Sequence, residues 1–112
     1  MKIQIKKNEQ NVTVIALQGD LDFHSSPNLR KELEKLIESQ APKIMIDLAK
    51  VEYVDSSGLA TFVELYQKMK HYGAKFSLFN LSESVQSVFE IAKLNSIFLI
   101  AKTEEEALRF VS

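Results

Sequence analysis

Short apolar runs separated by stretches of helical periodicity decide what this chain can fold into. Residues 12–17 form a β-branched run of Val12, Thr13, Val14, Ile15, Ala16 and Leu17, and further short runs recur at 43–48, 75–79 and 97–100. Such residues suit the pleated surface of a sheet. Between the first two runs Ser25-Ser26-Pro27 gives a helix start signal, a Ser N-cap with Pro at the first helical position, and Leu29, Leu33, Leu36 and Ile37 then stand at i, i+4, i+7 and i+8, with Lys and Glu between them. That spacing is the stripe of a helix with one buried side. Leu59, Phe62, Val63, Tyr66 and Met69 keep helical spacing before the third run, and Gly73 stands where a C-terminal cap is needed. A shorter helix carrying Val85, Val88, Phe89 and Ala92 follows Ser82 or Ser84, either of which can cap it. Ile3 and Ile5 alternate with polar residues ahead of a polar turn at 8–11, so the first two strands read as a hairpin. Thr103 to Glu106 has capping-box form ahead of Ala107, Leu108 and Val111, which predicts a last helix docked by its apolar side. Two strands, three helix–strand steps and a final helix predict an α/β domain. Its sheet is mixed and mainly parallel, begun by an antiparallel hairpin and packed with helices.

Length and composition agree with one such domain over residues 1–112. Apolar residues at 46% against 26% charged separate the chain from disordered sequences. A formal charge of −1, with Lys and Arg interspersed with Glu, argues against a nucleic-acid partner. No cysteine is present, which removes disulfides, thiol nucleophiles and zinc-thiolate sites and agrees with a reducing compartment; a cytoplasmic location is expected. The first ten residues, MKIQIKKNEQ, have no apolar stretch behind them, and nowhere do about 18 apolar residues run together. Neither export nor membrane insertion is expected.

In sheets built from parallel steps, ligands gather at the rim formed by the carboxyl ends of the strands. Three loops are expected there, at 20–26, 54–58 and 80–84, which makes Asp22, His24 and Ser56 candidate neighbours. Asp55 is placed to cap a helix whose first turn is Ser56, Ser57 and Gly58. A phosphoryl group on Ser56 would then be favoured by the helix dipole and repelled by Asp55 beside it. With a partner covering the site, repulsion is expected to win. Asp-Ser-Ser-Gly is also an ordinary helix-capping sequence, so the tetrapeptide alone supports little more than a cap.

Three segments together carry a resemblance. Gly19, Asp20, Leu21 and Asp22 end the second strand, Ile46, Asp47 and Leu48 lie in the third, and Val54-Asp55-Ser56-Ser57-Gly58-Leu59 opens the second helix. Over nearly its whole length the chain resembles the anti-sigma factor antagonists with a STAS domain, which act in bacterial partner-switching circuits. The resemblance implies a STAS fold and a regulatory role without enzymatic activity or cofactor. It implies that the serine after the Asp, here Ser56, is phosphorylated by an anti-sigma factor that is also a serine kinase, with Ser57 the second choice, and that a serine phosphatase resets it. The unphosphorylated form would bind the anti-sigma factor and free a sigma factor, and phosphorylation would end that binding. Asp22 matches the first-loop acid implicated in partner recognition, and His24, Asp55, Ser57, Gly58 and Leu59 are expected around it on the partner-binding surface. Ala60 departs from the family, many of whose members have Gly there. Ala is small and favours a helix, so close approach is expected to survive.

The family also includes members that are not phosphorylated, and the competing expectation is a docking subunit of a transporter or larger signalling assembly in which Ser56 only caps. A hydrolase with Ser56 as nucleophile, His24 as base and Asp22 as orienter is the enzymatic alternative. It lacks a nucleophile elbow and an obvious second loop for oxyanion donors. His24 and His71 stand in no recognisable metal spacing. With three glycines in the chain there is no phosphate-cradling loop.

Overall fold

The computed structural model describes all residues from Met1 to Ser112. Strands β1 (Lys2–Lys7) and β2 (Val12–Gln18) form the antiparallel hairpin, closed by Asn8, whose Oδ1 accepts from the amides of Gln10 and Val12. Helix α1 (Ser26–Glu38), β3 (Lys43–Lys50), α2 (Ser56–His71), β4 (Lys75–Phe79), α3 (Glu83–Ile91), β5 (Leu99–Ala101) and α4 (Glu104–Val111) follow. The sheet order is β1-β2-β3-β4-β5, with every pair after the hairpin parallel. A sheet that grows in one direction by right-handed crossovers puts all its crossover helices on one face.

Strand alternation separates two cores. Ile44, Ile46 and Leu48 of β3 face the crossover helices and pack with Leu29 and Leu33 of α1, Phe62 and Leu65 of α2, and Val85 and Phe89 of α3. Met45 points the other way and joins Val12, Phe79 and Ala101 against Ala107 and Val111 of α4. Burial on both faces explains why β3 reads as a nearly unbroken apolar run. Ser77, fully buried in β4, donates its hydroxyl to the carbonyl of Ala107 at 3.0 Å and ties α4 to the sheet.

Three local details differ from the sequence expectation. The helix α1 begins at Ser26, which makes Pro27 its second residue, and the Ser25 hydroxyl at the N-cap makes no capping bond because it accepts instead from the amide of Asp22 at 3.0 Å. The last strand starts at Leu99 instead of residue 97, since the amides of Ile97 and Phe98 are spent on the carbonyl of Leu94 in a turn. At α4 the Thr103 hydroxyl caps the Glu106 amide as expected, but Glu106 reaches back to the amide of Lys102.

Phe89 packs against both Phe62 and Phe98, with ring centroids 6.0 and 5.9 Å away, and it is completely buried. Phe89→Ala is expected to cost about 3–5 kcal/mol of stability. A urea unfolding midpoint that stays at the wild-type value would show that the aromatic cluster does not support the fold.

Candidate functional site

Past their ends at Gln18 and Lys50, β2 and β3 do not separate. Gly19 donates to the carbonyl of Lys50 (3.0 Å), Leu21 to that of Tyr53 (2.8 Å), and Asp55 to that of Leu21 (3.1 Å). Leu21 and Val54 form an isolated parallel bridge and both side chains are buried. The first loop and the start of α2 are therefore one structure.

Asp55 holds that structure together. Its backbone is extended, as a cap requires, and its Oδ1 accepts from the amides of Ser57 (2.8 Å) and Gly58 (3.1 Å). Its Oδ2 accepts from the amide of Phe23 at 3.1 Å, across 32 positions of sequence. One carboxylate thus serves two amides at the helix end and one in the facing loop. Ser56 takes part in none of these bonds and is exposed, while Ser57 is half-buried.

This geometry bears on the opposition expected at the helix terminus between the pull of the dipole on a phosphoryl group at Ser56 and its repulsion by Asp55. Of the first three amides of α2, those of Ser57 and Gly58 are already taken by Asp55, and a resident negative charge sits on the positive end of the dipole. A second anion at Ser56 would meet repulsion with few donors left to offset it.

Gly58 is buried, so it supports the surface from behind instead of facing a partner. A Cβ placed on it would come within 2.8 Å of Leu21 Cγ, 2.9 Å of the Leu21 carbonyl oxygen and 2.9 Å of Val54 Cγ1. Two of these contacts are to packed side chains and one is to backbone, so the close approach of α2 to the first loop requires glycine. Leu59 is half-buried and packs against the main core, and Ala60 is exposed.

In the first loop Asp22 Oδ1 accepts from the amides of His24 (2.9 Å) and Ser25 (3.0 Å), an Asx turn. The Ser25 hydroxyl accepts from the amide of Asp22 at 3.0 Å. The Ser25 amide, followed by the His24 amide and the Ser25 hydroxyl, holds the Asp22 carboxyl below its ordinary range, with partial desolvation opposing. Asp22 is therefore an organiser of the loop as well as part of its surface. His24 is exposed, with its ring against that of Phe23 at a centroid distance of 4.0 Å.

The structure brings Asp22, His24, Asp55 and Ser56 onto one rim. It does not wire them as a nucleophilic relay. Asp22 is engaged by the backbone of His24, not its ring, and the His24 ring stacks on Phe23. The 80–84 loop joins the same rim, with Ser84 Oγ donating to the carbonyl of Glu52 at 3.4 Å and Asn80 Nδ2 to Asp47 Oδ1 at 3.3 Å.

Two rim residues were not singled out from sequence. Phe23 and Tyr53 are 63% and 52% exposed. In a linear reading an isolated aromatic passes for core, and the one available signal was that each lies beside charged residues in a loop.

Gly58→Ala is expected to destabilise the protein by about 1–3 kcal/mol, read as a lower urea midpoint. An unchanged midpoint would mean that the loop and helix are not in fixed contact. A lowered carboxyl pKa makes a contribution that is complete above the unfolded-chain value, ordinarily 3.8, and is lost as pH falls through the folded value. Wild-type stability should therefore fall more steeply than that of Asp22→Asn as pH drops below about 4. Parallel curves for the two proteins would remove the role given to Asp22.

The family model of the STAS domain matches residues 2–107. An anti-sigma-B factor antagonist of Bacillus subtilis is 35% identical over 105 residues, which cover 94% of each chain. The phosphorylated form of the Bacillus cell fate determinant SpoIIAA is 26% identical and superposes with a TM-score of 0.75, covering 99% of this chain and 100% of that one. A Thermotoga maritima structure, 24% identical, shares the fold with a TM-score of 0.91 over 97% of this chain and 93% of its own. The fold is thus that of a known group, and the chain belongs to the STAS-domain family of anti-sigma factor antagonists.

Proposed function

We propose that this chain is a phosphorylation-controlled antagonist. Unphosphorylated, it binds an anti-sigma factor that is also a serine kinase and thereby frees a sigma factor. Phosphorylation of Ser56 ends that binding, and a serine phosphatase restores it. The observation that carries the reading is the contrast at the start of α2: Ser56 is exposed and uncommitted, while the residues around it are tied into the rim.

Charge explains how a modification there would act. A phosphoserine near neutral pH is dianionic or nearly so. At roughly 5 Å from the Asp55 carboxylate it adds ~2 kcal/mol of repulsion at the dielectric of water, and more when a partner excludes water. That repulsion is present in the free chain as well, so only its increase on docking, together with the cost of desolvating the phosphate, weakens the complex, by tenfold for each ~1.4 kcal/mol. The domain need not refold. Ser57 is the second acceptor to consider, and its half-buried position makes it the harder one for a kinase to reach.

Similarity to an anti-sigma-B factor antagonist over 94% of the chain supports the partner class, and the phosphorylated form of SpoIIAA supports the type of control. No helix is long and apolar enough to cross a membrane.

Incubation with each purified anti-sigma factor kinase of the source organism and MgATP, followed by peptide mapping, is expected to place phosphate on Ser56. Ser56→Ala should bind the kinase and escape control, and Ser56→Asp should bind more weakly than wild type. Phosphate on neither Ser56 nor Ser57 would sink the switch and leave the non-phosphorylated docking subunit as the reading.

A further inference from the structure

Every cavity and exposed patch away from the rim lacks a feature that identifies its occupant, whereas the rim carries two. Phe23 and Tyr53, 63% and 52% exposed, sit on the two loops that meet around Asp55. Their exposure is built in. Leu21 and Val54 turn their side chains inward at the parallel bridge, so strand alternation turns Tyr53 outward. The carbonyl of Tyr53 is fixed by the amide of Leu21 at 2.8 Å. Phe23 leaves the Asx turn at Asp22 with its own amide bound to Asp55 Oδ2, and its ring rests on His24 at an interplanar angle of 34°.

The backbone that carries both rings is thus fixed by hydrogen bonds within the rim, so each ring projects from a held position instead of from the core. Aromatic side chains offer large contact area with few rotatable bonds, and positioning them before contact lowers the entropic cost of binding. Residues of this kind dominate interface energetics when a polar rim surrounds them. Asp22, His24 and Glu52 supply such a rim here.

We infer that Phe23 and Tyr53 are the aromatic anchors of the partner interface, seated in apolar pockets on the anti-sigma factor kinase. The inference rests on the function proposed above. The occupant follows from continuity: a protein that reaches the Ser56 hydroxyl must cover loops joined to it through Asp55. Phosphorylation then acts at the edge of an apolar contact, where excluded water makes its charge most costly.

The test is the affinity of wild type and variants for each purified anti-sigma factor kinase of the source organism, measured with ADP so that no phosphate is transferred. Phe23→Ala and Tyr53→Ala should each weaken binding about thirtyfold, with urea midpoints unchanged because both rings are exposed. Ile91→Ala removes a side chain that is 83% exposed at the far end of α3 and should bind as wild type does. If alanine at position 23 loosens the loop, Phe23→Gln keeps side-chain length without the ring. It should show the same loss, and wild-type affinity in it overturns the anchor role.

Wild-type binding and Ser56 phosphorylation together with undiminished binding by the Phe23 and Tyr53 variants would discard the anchors alone. Wild-type chain that binds none of the kinases would discard the anchors and the proposed function together.

Discussion

The carboxylate of Asp55 is the interaction on which the rest of the rim depends. It satisfies two amides at the start of α2, and with its other oxygen it holds the amide of Phe23 in the facing loop. Bonds from ionised acceptors to backbone amides are stronger than neutral ones. Here they also decide geometry, since closing helix end and loop onto one side chain brings Leu21 against position 58, where only glycine fits. The helix terminus, elsewhere a ready anion site, has two of its first three amides taken from within.

Two cores hold this rim steady. The helices α1 to α3 close one face of the sheet and α4 closes part of the other, leaving β3 buried between them. Its continuation past Lys50 runs hydrogen-bonded beside that of β2. Strand ends that stay paired present their side chains from a fixed backbone, which suits recognition without rearrangement. Under the proposed function, a charge added to the exposed Ser56 on such a base alters the fit to a partner while the domain keeps its packing. That division of labour matches the magnitudes: a few kcal/mol is ample to end binding and modest against the burial of a whole core.

Much of the fold was legible because period decides element type. The β-branched run of β2 and the helical stripes of α1 and α2 each report burial, and together they imply helices laid over a mainly parallel sheet. Asp55 was legible as a cap because capping is local in sequence. What escaped sequence reasoning is long-range. A serine before Pro27 reads as a cap, but in the folded loop the amide of Asp22 takes the Ser25 hydroxyl oxygen. Gly58 looked like part of a contact surface, while its real constraint is Leu21, distant in sequence and adjacent in space. The outward turn of Tyr53 follows from a single bridge between residues 21 and 54 that no local pattern announces.

Electrostatic exclusion makes a demand on the phosphorylated chain that can be read amide by amide. If the phosphoryl group acts by its charge on the partner, hydrogen exchange at Phe23, Ser57 and Gly58 stays as slow after phosphorylation of Ser56 as before, because Asp55 still holds all three. If exchange at Phe23 accelerates while Ser57 and Gly58 remain protected, the phosphate has displaced Asp55 from the helix end and released the loop. The modification would then act by rearranging the rim, in contradiction to charge alone.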